Sequence, residues 1–116
     1  MFNTYFNPEQ LEILTDKDPE LTRELLGIYL DETEVVIANA KELHASGVFD
    51  ELKKLLHKHK SSYQMIGLPE MYRLMASAES RIGGAEADIP GLLDEALAVH
   101  KQIIVEIEDY LAYLGK

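Results

Sequence analysis

The chain has 116 residues, no cysteine and a formal net charge of −10. That length implies one domain, 1–116, able to bury a core without disulfide staples; the lack of cysteine fits a reducing, cytoplasmic setting. Strong acidity argues against nucleic acid as a partner, and no run of about 18 apolar residues is present to span a membrane.

The start, MFNTYFNPEQ, lacks a basic stretch followed by an apolar run, so no signal peptide is expected. NPEQLEIL opens with an Asn cap and Pro at the first helical position, which predicts a short helix packed as a lid. DPELTRELLGIYLDETEVVIANAKELHAS begins the same way. Leu21, Leu25, Ile28, Tyr29, Val35 or Val36, Ala40 and Leu43 keep helical spacing, and Gly47 ends the run. A third helix is predicted from about Asp50 to Ile66, with Gly67 as its stop and Pro69 unable to continue it.

A fourth helix starts near Pro69, with Met71, Leu74, Met75, Ala78 and Ile82 as its apolar stripe and the pair Gly83-Gly84 as its end. AEADIPG reads as a loop. The last helix runs roughly from Pro90 to Leu114, with Leu93, Leu97, Ile104, Ile107 and Leu111 at helical intervals. No strand alternation and no internal repeat is visible. The expected fold is all-α: an antiparallel four-helix bundle with a short additional N-terminal helix.

The charge is uneven. Residues 51–67 carry Lys53, Lys54, Lys58 and Lys60 against the single acid Glu51, a net +3, which leaves −13 on the remainder. Such an island fits a small anion or the acidic patch of a partner, although a solvated helix face would look the same. Within it lies HKH. On a helical wheel of about 100° per residue, Leu52, Leu55, Leu56, His59, Tyr63 and Ile66 fall opposite His57. His57 is therefore expected to be exposed among Lys53, Lys54, Lys60, Ser61 and Gln64, and His59 to sit near the middle of the core stripe.

Two histidines that diverge by about 200° cannot share one metal ion, so HKH makes a poor zinc motif and no metal is expected. A neutral imidazole can act as a nucleophile, and lysines one turn away can meet the charge of a captured phosphoryl group. A surface histidine without a role is the plain alternative. His44 and His100 have no companion motif and read as peripheral. Met65, Met71 and Met75 read as core filler or partner surface.

HKHKSSYQMIG resembles the signature of histidine phosphotransfer (HPt) domains: His57, Lys60 three residues on, the small residues Ser61 and Ser62, and Ile66-Gly67 closing the helix. AESRIGG resembles the Glu-containing end of that family's next helix, and the order of a lid helix followed by four bundle helices also matches. Ser61 stands where the family usually has Gly, and His59 where it usually has a core Leu. The resemblance implies a phosphocarrier without autonomous kinase activity. His57 would accept and donate the phosphoryl group, Lys60 would compensate its charge, and Ser61 would lie beside it. Lys53, Lys54, Gln64 and Gly67 would dock the partner, with Met65, Leu68 and the lid helix adding apolar contact.

The implied partners are response-regulator receiver domains or a hybrid histidine kinase. The implied Mg²⁺ belongs to the receiver and not to this chain. The competing expectation is a non-catalytic helical adaptor on the same fold. No GxxxxGK is present, which argues against an ATP enzyme. A monomer is expected, since an obligate dimer would suit a kinase hairpin instead.

Overall fold

A computed structural model describes residues 3–115. Five α-helices follow in order: α1 Pro8–Thr15, α2 Pro19–Ala45, α3 Phe49–Met65, α4 Pro69–Ser80 and α5 Ile89–Leu114, with a 3₁₀ turn Glu86–Asp88 before the last. No strand occurs among the described residues.

Local chemistry sets the helix starts. The Asn7 side chain accepts from Glu9 N at 3.2 Å, and Asp18 accepts from Glu20 N and Leu21 N at 3.0 and 3.3 Å. Each cap satisfies amides that have no partner inside the helix. Pro occupies the first turn of α1, α2, α4 and α5, where a missing N–H costs nothing. α1 ends with Asp16 and Lys17 at φ 53° and 61°, which breaks it sharply from α2.

Helices α2 to α5 pack in a ring, each against its two neighbours in the chain, with α5 closing onto α2. Short connections at 46–48 and 66–68 force antiparallel pairs. Leu26, Ile37, Leu52, Leu56, Met71, Leu74, Met75, Leu93 and Ile103 form the sealed core. Met71 and Met75 are thus core filler, while Met65 is 54% exposed.

Two apolar stripes differ from expectation. On α2 the buried set is Thr22, Leu26, Tyr29, Thr33, Val36, Ile37 and Ala40, while Leu21, Ile28 and Val35 face outward. Tyr29, Val36 and Ala40 lie on the expected stripe, but its centre falls toward Leu26 and Ile37, because α2 carries apolar residues on both of its faces. On α5 the buried set is Ile89, Leu93, Ala96, Val99, His100, Ile103, Glu106, Ile107 and Tyr110. His100 is therefore core and not peripheral. Its Nδ1 lies 2.7 Å from the Tyr29 hydroxyl, and its Nε2 has no hydrogen-bond partner. His44 is half-buried, with Nε2 2.6 Å from the Glu86 carbonyl.

The segment before α1 straps the bundle end. Tyr5 N and Phe6 N both donate to Glu106 Oε1 at 3.0 Å, and Glu106 is itself buried. Two amides and a carboxylate satisfy one another where neither could be left dry alone. Phe6 packs edge-on against Tyr110, and Asn7 N donates to Gly67 O at 2.7 Å. Gly67 has φ +85°, and a Cβ there would stand 2.2 Å from Asn7 O. Only glycine fits both constraints.

Candidate functional site

α3 runs along the bundle with three distinct faces. Leu52, Leu56 and Tyr63 point into the core. Toward α4 lies Lys60, whose Nζ is 2.7 Å from Glu79 Oε1. Outward stands His57, its side chain 68% exposed, with Nδ1 3.2 Å from Glu79 Oε2. One carboxylate near the end of α4 thus grips both residues. The short turn at 66–68 makes this possible, since it folds α4 straight back along α3.

The chemistry of Glu79 fixes the arrangement. Its side chain is only 13% exposed. Burial pushes its carboxyl up, but hydrogen bonds from Lys60 and His57, together with the charge of both, outweigh this and hold it below the usual carboxylate range. An ionised carboxylate can only accept. The His57 nitrogen facing it therefore carries the proton, and the lone pair sits on Nε2. The result is an exposed imidazole with one nitrogen held and the other bare.

Ser61 and Gln64 are exposed on the same helix, and Lys53, Lys54 and Lys58 line a shallow cleft with His57, Asp50 and Glu79. Lys54 approaches Glu51 loosely, at 3.7 Å. Lys53, Lys54 and Lys58 thus share one cleft with His57. Lys60 differs: it is not an open cation beside His57 but half of an ion pair with Glu79. Glu79 lies within AESRIGG, a stretch whose sequence alone assigns it no role. The signal available was its acid type at a helix end predicted to lie antiparallel to the histidine helix.

Other expected site residues are placed elsewhere. Gly67 is buried against Asn7 and offers no docking surface. Leu68 is fully buried. Gly67 is covered by the strap, whose course the sequence did not signal, and Leu68 belongs to the core cluster. His59 is half-buried and not central to the core. It lines a groove between α2 and α3, over Tyr29 and Tyr63, with Glu32 and Lys58 at its edge and Leu14, Ile28 and Met65 as apolar walls. Burial there lowers the His59 titration below its ordinary value; Lys58 adds to this and Glu32 opposes it. His57 and His59 thus occupy separate surroundings on one helix.

No helix among the described residues is long and apolar enough to cross a membrane. No curated protein and no solved structure matches the chain. The family model described as Hpt domain matches residues 24–115, which spans α3, its histidine, Glu79 and all of α5. With that match over most of its length, on an all-helical bundle carrying an exposed histidine at the motif position, the chain belongs to the Hpt domain family, whose members serve phosphotransfer in two-component and phosphorelay signalling.

Proposed function

We propose that His57 is the residue that accepts and donates the phosphoryl group, exchanging it with the phospho-aspartate of a response-regulator receiver domain. The observation that carries this is the held Nδ1 and bare Nε2 of an exposed imidazole. In the forward step the acyl-phosphate O–P bond breaks, the P–Nε2 bond forms, and the receiver carboxylate leaves. The ring keeps its Nδ1 proton and becomes cationic, and Glu79 faces that charge. Donation runs the same steps in reverse. Little bond chemistry is asked of this chain beyond position and charge.

The receiver would supply Mg²⁺ and its acidic pocket, and the lysine island complements that acidity. Lys53 and Lys54 share a cleft with the imidazole, and Ser61 and Gln64 are exposed further along α3. Met65, Ile28 and Leu14 offer apolar contact in the groove on the His59 side of α3. A cytoplasmic monomer meeting a receiver or a hybrid histidine kinase fits this use.

The test is transfer from phosphorylated receivers, read by intact mass and acid lability. We expect wild type and His59→Gln to gain one acid-labile phosphate and His57→Gln to gain none. Failure of wild type with every receiver, while it still binds one, would move the adaptor reading ahead.

A further inference from the structure

The motif resemblance gives Lys60 the task of meeting the phosphoryl charge, yet Lys60 is already paired with Glu79 at 2.7 Å and is only 21% exposed. Helical side chains lean toward the helix start, so the ring of residue 57 lies over the turn that contains residues 53 and 54. A cleft occurs in that direction, lined by Asp50, Lys53, Lys54, His57, Lys58 and Glu79. Lys53 has no ion pair among the described residues, and Lys54 has only the loose contact to Glu51, with its side chain 77% exposed.

Resting on the proposal that His57 is phosphorylated, we infer that Lys53 and Lys54 hold the phosphoryl group on Nε2, while Lys60 is a positioning residue that holds Glu79 against Nδ1. The geometry divides the charges between the two nitrogens. Glu79 and Lys60 neutralise each other on the Nδ1 side, so neither strongly repels nor attracts an anion on the far side of the ring. Asp50 lies in the same cleft and opposes the lysines in part, which leaves the phosphoryl group held loosely enough to be passed on. Lys58 stands at the rim, between this cleft and the groove that contains His59.

The experiment needs no partner protein. Phosphoramidate phosphorylates imidazoles directly: its P–N bond breaks, P–Nε2 forms, and ammonia leaves. The ³¹P shift of the product is then followed against pH in wild type, Lys53→Gln/Lys54→Gln and Lys60→Gln. Two nearby lysines favour the dianion, so their loss should raise the phosphoryl titration midpoint by about half a unit. Lys60→Gln should move that midpoint much less, and instead change the Nδ1 proton and ¹⁵N signals of unphosphorylated His57. Roughly 1 M salt should shrink the lysine effect.

A midpoint that shifts in Lys60→Gln and not in the double variant overturns the inference and leaves His57 as the carrier. A wild-type protein that stays unlabelled while free histidine is labelled overturns the carrier reading itself. Lys53 and Lys54 are exposed on α3, so the double variant tests charge and not folding; Lys60 is paired with the nearly buried Glu79, so Lys60→Gln is read only after its urea unfolding midpoint has been compared with that of wild type.

Discussion

His57 and His100 carry the same ring, each bound through Nδ1, and they face opposite fates. His57 meets a carboxylate at the surface, at 3.2 Å, while His100 meets the Tyr29 hydroxyl in the core, at 2.7 Å. Burial pushes the Tyr29 titration far up, so its hydroxyl stays protonated. Whichever ring nitrogen of His100 holds the proton, its Nε2 is sealed in the core and has no partner. At His57 the proton sits on the held nitrogen and the lone pair faces water. Reactivity here follows from which nitrogen is occupied and from which side of the helix the ring leaves.

The sharpest break between the two is loss of function against loss of fold. His57→Ala should abolish acid-labile phosphorylation and change unfolding free energy by under about 0.5 kcal/mol. His100→Ala should do the reverse, costing about 2–4 kcal/mol in urea unfolding through a cavity and a stranded Tyr29 hydroxyl, while the folded fraction still labels. A His100→Ala protein as stable as wild type would mean the core tolerates an empty site there.

Acid should separate them further. Burial lowers the His100 titration in the folded state, with the charge of Glu34 opposing it weakly. The unfolded ring protonates from about pH 6.5 downward while the folded ring resists. Stability is therefore complete above about pH 6.5 and falls as pH drops, by up to about 1.4 kcal/mol per unit for one proton. Urea midpoints between pH 7.5 and 5 should fall less in His100→Gln than in wild type. Some slope will remain, because the His59 titration is lowered as well. Parallel curves would remove His100 from the account.

Glu79→Gln tests the other partner. An amide can present either its oxygen or its NH₂ to Nδ1, so the tautomer is no longer imposed. We expect phosphorylation about tenfold slower or less, at unchanged fold, and a shifted His57 ¹⁵N signature. A normal rate with a normal signature would mean the carboxylate is not needed to orient the ring.

Much of this was legible in the chain itself. Asn7-Pro8 and Asp18-Pro19 announced the first two helices, and the glycines at 47, 67 and 83 marked the stops. The exposure of His57 followed from its helical phase opposite Leu52, Leu56 and Tyr63. What stayed hidden was tertiary. Leu25 and Leu26 are adjacent, and only packing decides that Leu26 is sealed while Leu25 remains partly covered. His100 had no motif because its partner, Tyr29, is 71 residues away. The role of Gly67 depends on a strap that carries no periodic signal.

The strap sharpens the same point at smaller cost. Gly67→Ala would force Asn7 away from the end of α3, and about 1–3 kcal/mol of strain is expected there. Proteolysis near residues 3–7 should speed up while labelling of His57 persists.

That persistence has a kinetic side. Glu79 is only 22 residues from His57, and they are joined by one tight hairpin of α3 and α4. Tyr5 and Phe6 find Glu106 across 101 and 100 residues. Short loops close with less entropy loss than long ones. In a refolding experiment the His57–Glu79 contact can therefore assemble within its own hairpin, whereas the strap must wait for the last helix to arrive.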